Sequence, residues 1–227
     1  MNDPFLFNSA NAAELFLIRH ADALPGPDEI IPSGVYNDLP LSKTGREQAQ
    51  ALAERLGKLR FDALYSSPLR RCLETAAPLI ERLGLTPVVV DDLQEIRLGE
   101  VLPLPVDGQD LDALSQALQE RQREIVRRVG ATGSWDAIPD SEPSKAFRQR
   151  VVQAIDGIAR RHRGERVLVF AHGGVLNAYA AEVLGLERDF FYPAANTAIT
   201  IVRVADSRRV LYVLNDIGHI KRRSQLR

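Results

Sequence analysis

ELFLIRHADALPG, Glu14 to Gly26, runs four apolar residues into two basic ones and then into Asp, Pro and Gly. A short apolar run bounded by polar and turn residues has the composition of a buried strand. A strand buried on both faces belongs to a mostly parallel sheet covered by helices on each side. Ending it in Arg19 and His20 gains nothing for a core. The pair points instead to an anion at the strand's carboxyl end.

Reading outward, residues 1–12 form a polar tail, and residues 21–43, with four prolines and two glycines, an ordered loop. Thr44 to Glu47 fits a capping box, followed by Ala49, Leu52, Ala53 and Leu56 at helical spacing. FDALYSS (61–67) is a second strand. It feeds PLRRCLETAAPLIERLG (68–84), a helix that Pro68 opens and Gly84 closes. TPVVVDD (86–92) is a third strand. Residues of about 100–144, with a charged amphipathic helix at 111–129, look like an insertion over one end of the core. A helix at 145–162, strand RVLVF (166–170), AHGG and a helix at 175–186 follow, and a hairpin around ADSRR closes the chain. Strands alternating with helices predict one α/β domain over 13–220, a mostly parallel central sheet between two helical layers.

Composition narrows the function. With 29 Lys+Arg against 30 Asp+Glu and a net charge of −1, no nucleic acid or anionic membrane is expected as partner. No apolar run approaches the ~20 residues of a membrane-spanning helix. The N-terminus lacks the basic start of a secretory signal. One cysteine, Cys72, rules out an internal disulfide and a cysteine-rich zinc site, and fits a reducing compartment. A cytoplasmic protein is expected. A homodimer is compatible with the sequence.

Three strand ends carry the chemistry. The first ends in Arg19-His20, the second in Ser66-Ser67 followed by Arg70 and Arg71, and the fourth in His172-Gly173-Gly174. Ligands of open α/β sheets bind outside the carboxyl ends of the strands, where helix N-termini already favour anions. If these strands are neighbours, two histidines and up to three arginines meet around a small tetrahedral anion such as a phosphate group. Arginine forks bind such oxygens two at a time. A neutral histidine can attack phosphorus, and a leaving alkoxide needs a proton. DDLQEIRLGE supplies Glu95 and Glu100 as candidate donors.

The ordered set resembles the histidine phosphatase superfamily, the phosphoglycerate mutase-like family, over roughly residues 14–215. LIRHADA is similar to its opening Arg-His-Gly motif, SSPLRRCLETA to its Ser-Ser-x-Leu-x-Arg-(x)3-Thr-Ala, LQEIRLG to its Leu-x-Glu-(x)3-Gly, and AHGG to its Ser-His-Gly-Gly. The resemblance implies a phosphoglycerate mutase-like α/β/α sandwich and a metal- and cofactor-independent hydrolase of a small phosphorylated metabolite. It implies His20 as nucleophile, Arg19, Arg71 and His172 on the phosphoryl oxygens, and Glu95, rather than Glu100, as general acid. A phosphate-shuttling mutase and a non-catalytic phosphoryl-ligand binder remain alternatives. Ala21 replaces the motif glycine, and Gly26 stands where many members place a phosphate-binding asparagine. Asn37 or Ser42 could supply that contact. The family's Trp-Glu-Gly after the acidic motif is absent. Arg70 at the rim and Trp135 as a lid are further substrate-binding candidates, whereas His162 and His219 read as exposed and inert.

Overall fold

Alternate residues of the first strand serve two separate cores. In the computed structural model, which describes residues 5–6, 10–24, 38–99, 101 and 111–220, β1 is Ala13–Arg19. Successive side chains of a strand point to opposite faces. Leu15 and Leu17 enter one buried cluster with Phe147, Val151 and Ile155 of α4 (Ser144–Arg161) and Val175 and Tyr179 of α5 (Gly173–Leu184). Phe16 and Ile18 enter another, with Leu52 and Leu56 of α1 (Lys43–Leu56) and Ala76 and Leu79 of α2 (Arg70–Leu83). Helices therefore cover both faces of the sheet, as the apolar run of β1 requires.

The sheet has six strands in the order β3-β2-β4-β1-β5-β6. These are β2 (Ala63–Ser66), β3 (Pro87–Val89), β4 (Arg166–Ala171), β5 (Ile199–Ala205) and β6 (Arg208–Asp216). β1 to β4 pair in parallel, and β5 joins β1 antiparallel and carries β6. The three strands with basic or hydroxyl ends, β2, β4 and β1, are immediate neighbours. A further helix, α3 (Leu111–Thr132), and a 3-10 turn, Trp135–Ala137, pack on the α4/α5 side, where Val129 and Trp135 join the first cluster. Among the described residues no helix is long and apolar enough to cross a membrane.

Several local expectations shift. Ser42, not Thr44, caps α1: its Oγ accepts from Gly45 N at 3.0 Å, so Thr44 already lies inside the helix. Gly45 is required there because a Cβ would sit 2.0 Å from the Asp22 carbonyl oxygen. Pro68 precedes α2 by two residues, because Ser67 still donates its N–H to Phe170 in the sheet. Gly84 ends α2 in the left-handed conformation, as read. In the segment read as a polar tail, Leu6 is fully buried against Ala12 and Ala205.

Candidate active site

The register fixes the level at which the strand ends meet. Arg19 pairs with Ala171 and Ser66 with Phe170, so His20, His172 and Ser67 leave the sheet side by side. His20 N–H donates to Ala171 O at 2.9 Å, and the two imidazoles stand 5.2 Å apart between centroids. From the other side, Thr197 N–H donates to Arg19 O at 3.1 Å.

Hydrogen bonds decide which ring nitrogens are available. His20 Nδ1 lies 2.7 Å from the carbonyl oxygen of Ala21. A carbonyl only accepts, so the proton sits on Nδ1 and the lone pair on Nε2. Burial, then the Arg71 and Arg19 charges, hold His20 well below the ordinary histidine pKa, which keeps that lone pair free. His172 is shifted down in the same way, by burial, then by Arg71, His20 and Arg19. Its Nδ1 accepts from Arg71 Nη2 at 3.2 Å, so its Nε2 carries the proton to Ser67 Oγ at 2.8 Å.

The two arginines are aimed rather than merely near. Arg19 Nη1 donates to Ala194 O at 2.5 Å, while its buried Nε has no acceptor among the described residues. Arg71 occupies the first turn of α2, and Thr75 one turn later ties that helix to the β1 exit. Its Oγ1 accepts Ala21 N–H at 2.9 Å and donates to Arg71 O at 2.6 Å. Cys72 is a buried core residue 3.5 Å from His172 Nε2, and burial pushes its thiol up to about 12.

Glu95 reaches the histidines from the loop after β3. Its Oε2 accepts from Gly174 N at 3.0 Å, at the start of α5, and its Oε1 from Ile96 N at 3.1 Å. A helix N-terminus stabilises the carboxylate form. Gly174 permits this approach: a Cβ there would meet Glu95 Oε1 at 2.3 Å. Arg150 of α4 holds the loop itself. It donates to the carbonyls of Asp92 (2.8 Å), Gln94 (2.9 Å) and Glu95 (3.3 Å). Glu142, hydrogen-bonded to Arg150 and held by it below the usual carboxylate range, also exchanges backbone contacts with Arg97.

These groups open onto a cavity of about 550 Å³. Arg19, His20, Arg71, Glu95, Gly173 and Gly174 line its inner end, and Trp135 lines a wall. His172 lies behind this surface, fully buried. The other candidates diverge. Arg70 turns outward to Glu74 Oε1 at 2.5 Å and does not line the cavity. Ser42 donates its hydroxyl to Asp22 while capping α1, so Asp22, which the sequence reading passed over, faces the cavity in its place. Asn37 and Glu100 lie outside the described residues. Among the described residues no group of three or more His, Cys, Asp or Glu is placed to hold a metal ion.

The two remaining histidines are not the exposed residues that their places in the sequence suggest. His219 is buried. Its Nδ1 faces Arg55 and its Nε2 Thr197 Oγ1 at 2.9 Å, and burial lowers its pKa to about 4. His162 bridges Tyr65 Oη (2.8 Å) and Glu165 (2.6 Å).

The chain is similar to known proteins along most of its length. The chain is 28% identical over 215 residues to the metal-independent phosphoserine phosphatase of Arabidopsis thaliana, covering 93% of this chain and 84% of that protein. It is 26% identical to phosphoserine phosphatase 1 of Hydrogenobacter thermophilus, over 91% of this chain and 94% of the relative. The mycobacterial glucosyl-3-phosphoglycerate phosphatase superposes with a TM-score of 0.66 at 27% identity, over 89% of this chain and 98% of that structure. Residues 15–217, from β1 to just past β6, match the histidine phosphatase superfamily, branch 1, and the chain belongs to it.

Proposed function

We propose that this phosphoric monoester hydrolase works without a metal, through a phosphohistidine formed on His20. The observation that carries the reading is the Ala21 hydrogen bond, which puts the proton of the neutral His20 ring on Nδ1 and the lone pair on Nε2 at the inner end of an arginine-lined cavity. The Nε2 lone pair attacks phosphorus, and the bond to the leaving oxygen breaks. Arg19 and Arg71 hold the phosphoryl oxygens as their charge redistributes, and His172, whose Nδ1 accepts from Arg71, positions that guanidinium from behind. In the complex with substrate the Glu95 carboxyl supplies the proton that the leaving oxygen needs. It gives that proton to the leaving alkoxide, and the N–H groups of Gly174 and Ile96 stabilise the carboxylate that results. Glu95 then takes a proton from water, the hydroxide oxygen bonds to phosphorus, and the P–N bond breaks. The sum is ester plus water to alcohol plus inorganic phosphate, with His20 neutral again.

The substrate is a small phosphorylated metabolite, and the free buried thiol of Cys72 fits a cytoplasmic setting. Rapid quench with a labelled phosphomonoester tests the mechanism. Acid-labile, base-stable label belongs on His20, and His20→Ala removes both label and turnover. Label on Ser67, or activity lost to EDTA and restored by a divalent cation, overturns it.

A further inference from the structure

The rest of the cavity wall, beyond the catalytic groups, has a chemistry of its own. Gln122, Ile125, Val126 and Val129 fall at i, i+3, i+4 and i+7 on α3, and all four line the cavity. Trp135 and Phe190 continue the surface, their rings edge to face with centroids 5.7 Å apart. Val126 remains 41% exposed on this wall, so apolar area is still available for burial by a ligand. The Trp135 ring edge bearing Nε1 and Cζ2 lies toward Gly174, where a Cβ would come within 3.0 Å of Cζ2. That buried Nε1 has no acceptor among the described residues.

Charge argues in the same direction. Among the described lining residues the arginines are Arg19 and Arg71, both at the phosphoryl end, and there is no lysine. Beyond the general acid Glu95, the acidic side chain among the described lining residues is Asp22. A leaving-group carboxylate would lose water, face a like charge and find no second cation among the described residues of this wall. An aromatic ring would cover Val126 and stack against Trp135 and Phe190.

We infer that the cavity selects phosphomonoesters of bulky aryl-bearing alcohols that carry no second anionic group, with Ile125, Val126, Trp135 and Phe190 as the determinants. This rests on the phosphatase reading above and goes beyond it, because phosphoserine, named for the Arabidopsis relative, carries a carboxylate.

The test compares kcat/KM for benzyl phosphate, O-phosphoserine and 3-phosphoglycerate, all esters of alkyl alcohols, with acetyl phosphate as a small activated control. Benzyl phosphate is expected to exceed both carboxylate esters by at least about tenfold. Val126→Lys, at a half-exposed helix position, supplies the missing cation. It should lower the ratio of benzyl phosphate to 3-phosphoglycerate by about tenfold or more. Gln122→Arg, one turn earlier, should move the ratio the same way and guards against misfolding of the first variant. A preference for either carboxylate ester, with acetyl phosphate still hydrolysed, overturns the inference and leaves the phosphatase reading intact. A ratio unmoved by both variants also overturns it. Failure on every ester, acetyl phosphate included, brings down the phosphatase reading itself and the inference with it.

Discussion

Arg150 and Glu142 meet as a fork on a fork, with Nε 2.7 Å from Oε1 and Nη2 2.8 Å from Oε2. The same guanidinium fans out to the carbonyls of Asp92, Gln94 and Glu95. The pair thus fixes the backbone from which the general acid hangs, without touching the phosphoryl site. Arg150→Met leaves Glu142, 6% exposed, without its partner, and should lower stability by about 2–4 kcal/mol. It should also lower kcat on an alkyl phosphate by about tenfold or more, with a smaller loss on p-nitrophenyl phosphate. Arg150→Lys keeps the charge but not the fan, and should restore little. Equal losses on the two substrates would reduce Arg150 to a packing role.

Glu95→Gln should lose about 10²–10⁴-fold on an alkyl phosphate, because a basic alkoxide then leaves unprotonated. On p-nitrophenyl phosphate, whose leaving group is a stable anion, the loss should be far smaller and the phosphohistidine should still form. Uniform losses with weakened vanadate binding would make Glu95 a scaffold.

Gly174→Ala separates helix from site. Alanine is the better helix former, so α5 should tolerate it locally. Yet the new Cβ would lie 2.3 Å from Glu95 Oε1 and 3.0 Å from Trp135 Cζ2, so the carboxylate must move. Activity on an alkyl phosphate should fall about as far as in Glu95→Gln, measured beside thermal unfolding. A variant with full activity would show that the carboxylate works from another position.

NMR titration of the imidazoles in the free enzyme reports the electrostatics directly. The midpoint for His20 should lie below 6.5, because burial and then Arg71 and Arg19 disfavour its cation. Arg71→Gln removes one of those charges and should raise the midpoint. A midpoint that stays put or falls would remove Arg71 from contact with the nucleophile.

Acid stability should bear the mark of His219. Unfolded, it takes a proton near 6.5; folded, near 4. Between those values the unfolded chain holds more protons, so stability is full above pH 6.5 and declines as pH falls toward 4. His20 and His172 act with the same sign, so the comparison needs His219→Gln. The difference between urea midpoints at pH 7.5 and pH 5 should be smaller in that variant than in the native protein. Equal differences would place His219 in a solvent-like environment.

What could be read from the residues was local. Arg19, His20 and His172 each end an apolar run, and a strand's end is where polar cargo faces a ligand, so their candidacy for one site followed from pattern. Trp135 stood out as a large ring in a polar loop, and it does line the cavity. Arg150 left no such mark. It acts on backbone carbonyls, which every residue has, so no partner in the sequence betrays it. Asp22 was hidden because its loop position suggested only a turn. His219 was misjudged for the opposite reason: its place near the C-terminus suggested solvent, while Arg55 and Thr197, distant in sequence, bury it.

The place of β1 has a consequence for how this enzyme is made. The strand that bears the nucleophile is made before the other five of its sheet, yet it is central there, and Glu14 meets Arg166 across a separation of 152 residues. At about 5–20 residues per second, roughly eight to thirty seconds of synthesis pass before β4 emerges to pair with it. Through that interval an apolar strand waits with both edges open, the condition in which chains aggregate or recruit chaperones. No nascent chain that stops short of β4 contains a site, so hydrolysis of phosphate esters reports completed long-range assembly. The topology makes catalytic onset a clock for folding, and a slow one, since distant pairings delay the folding transition.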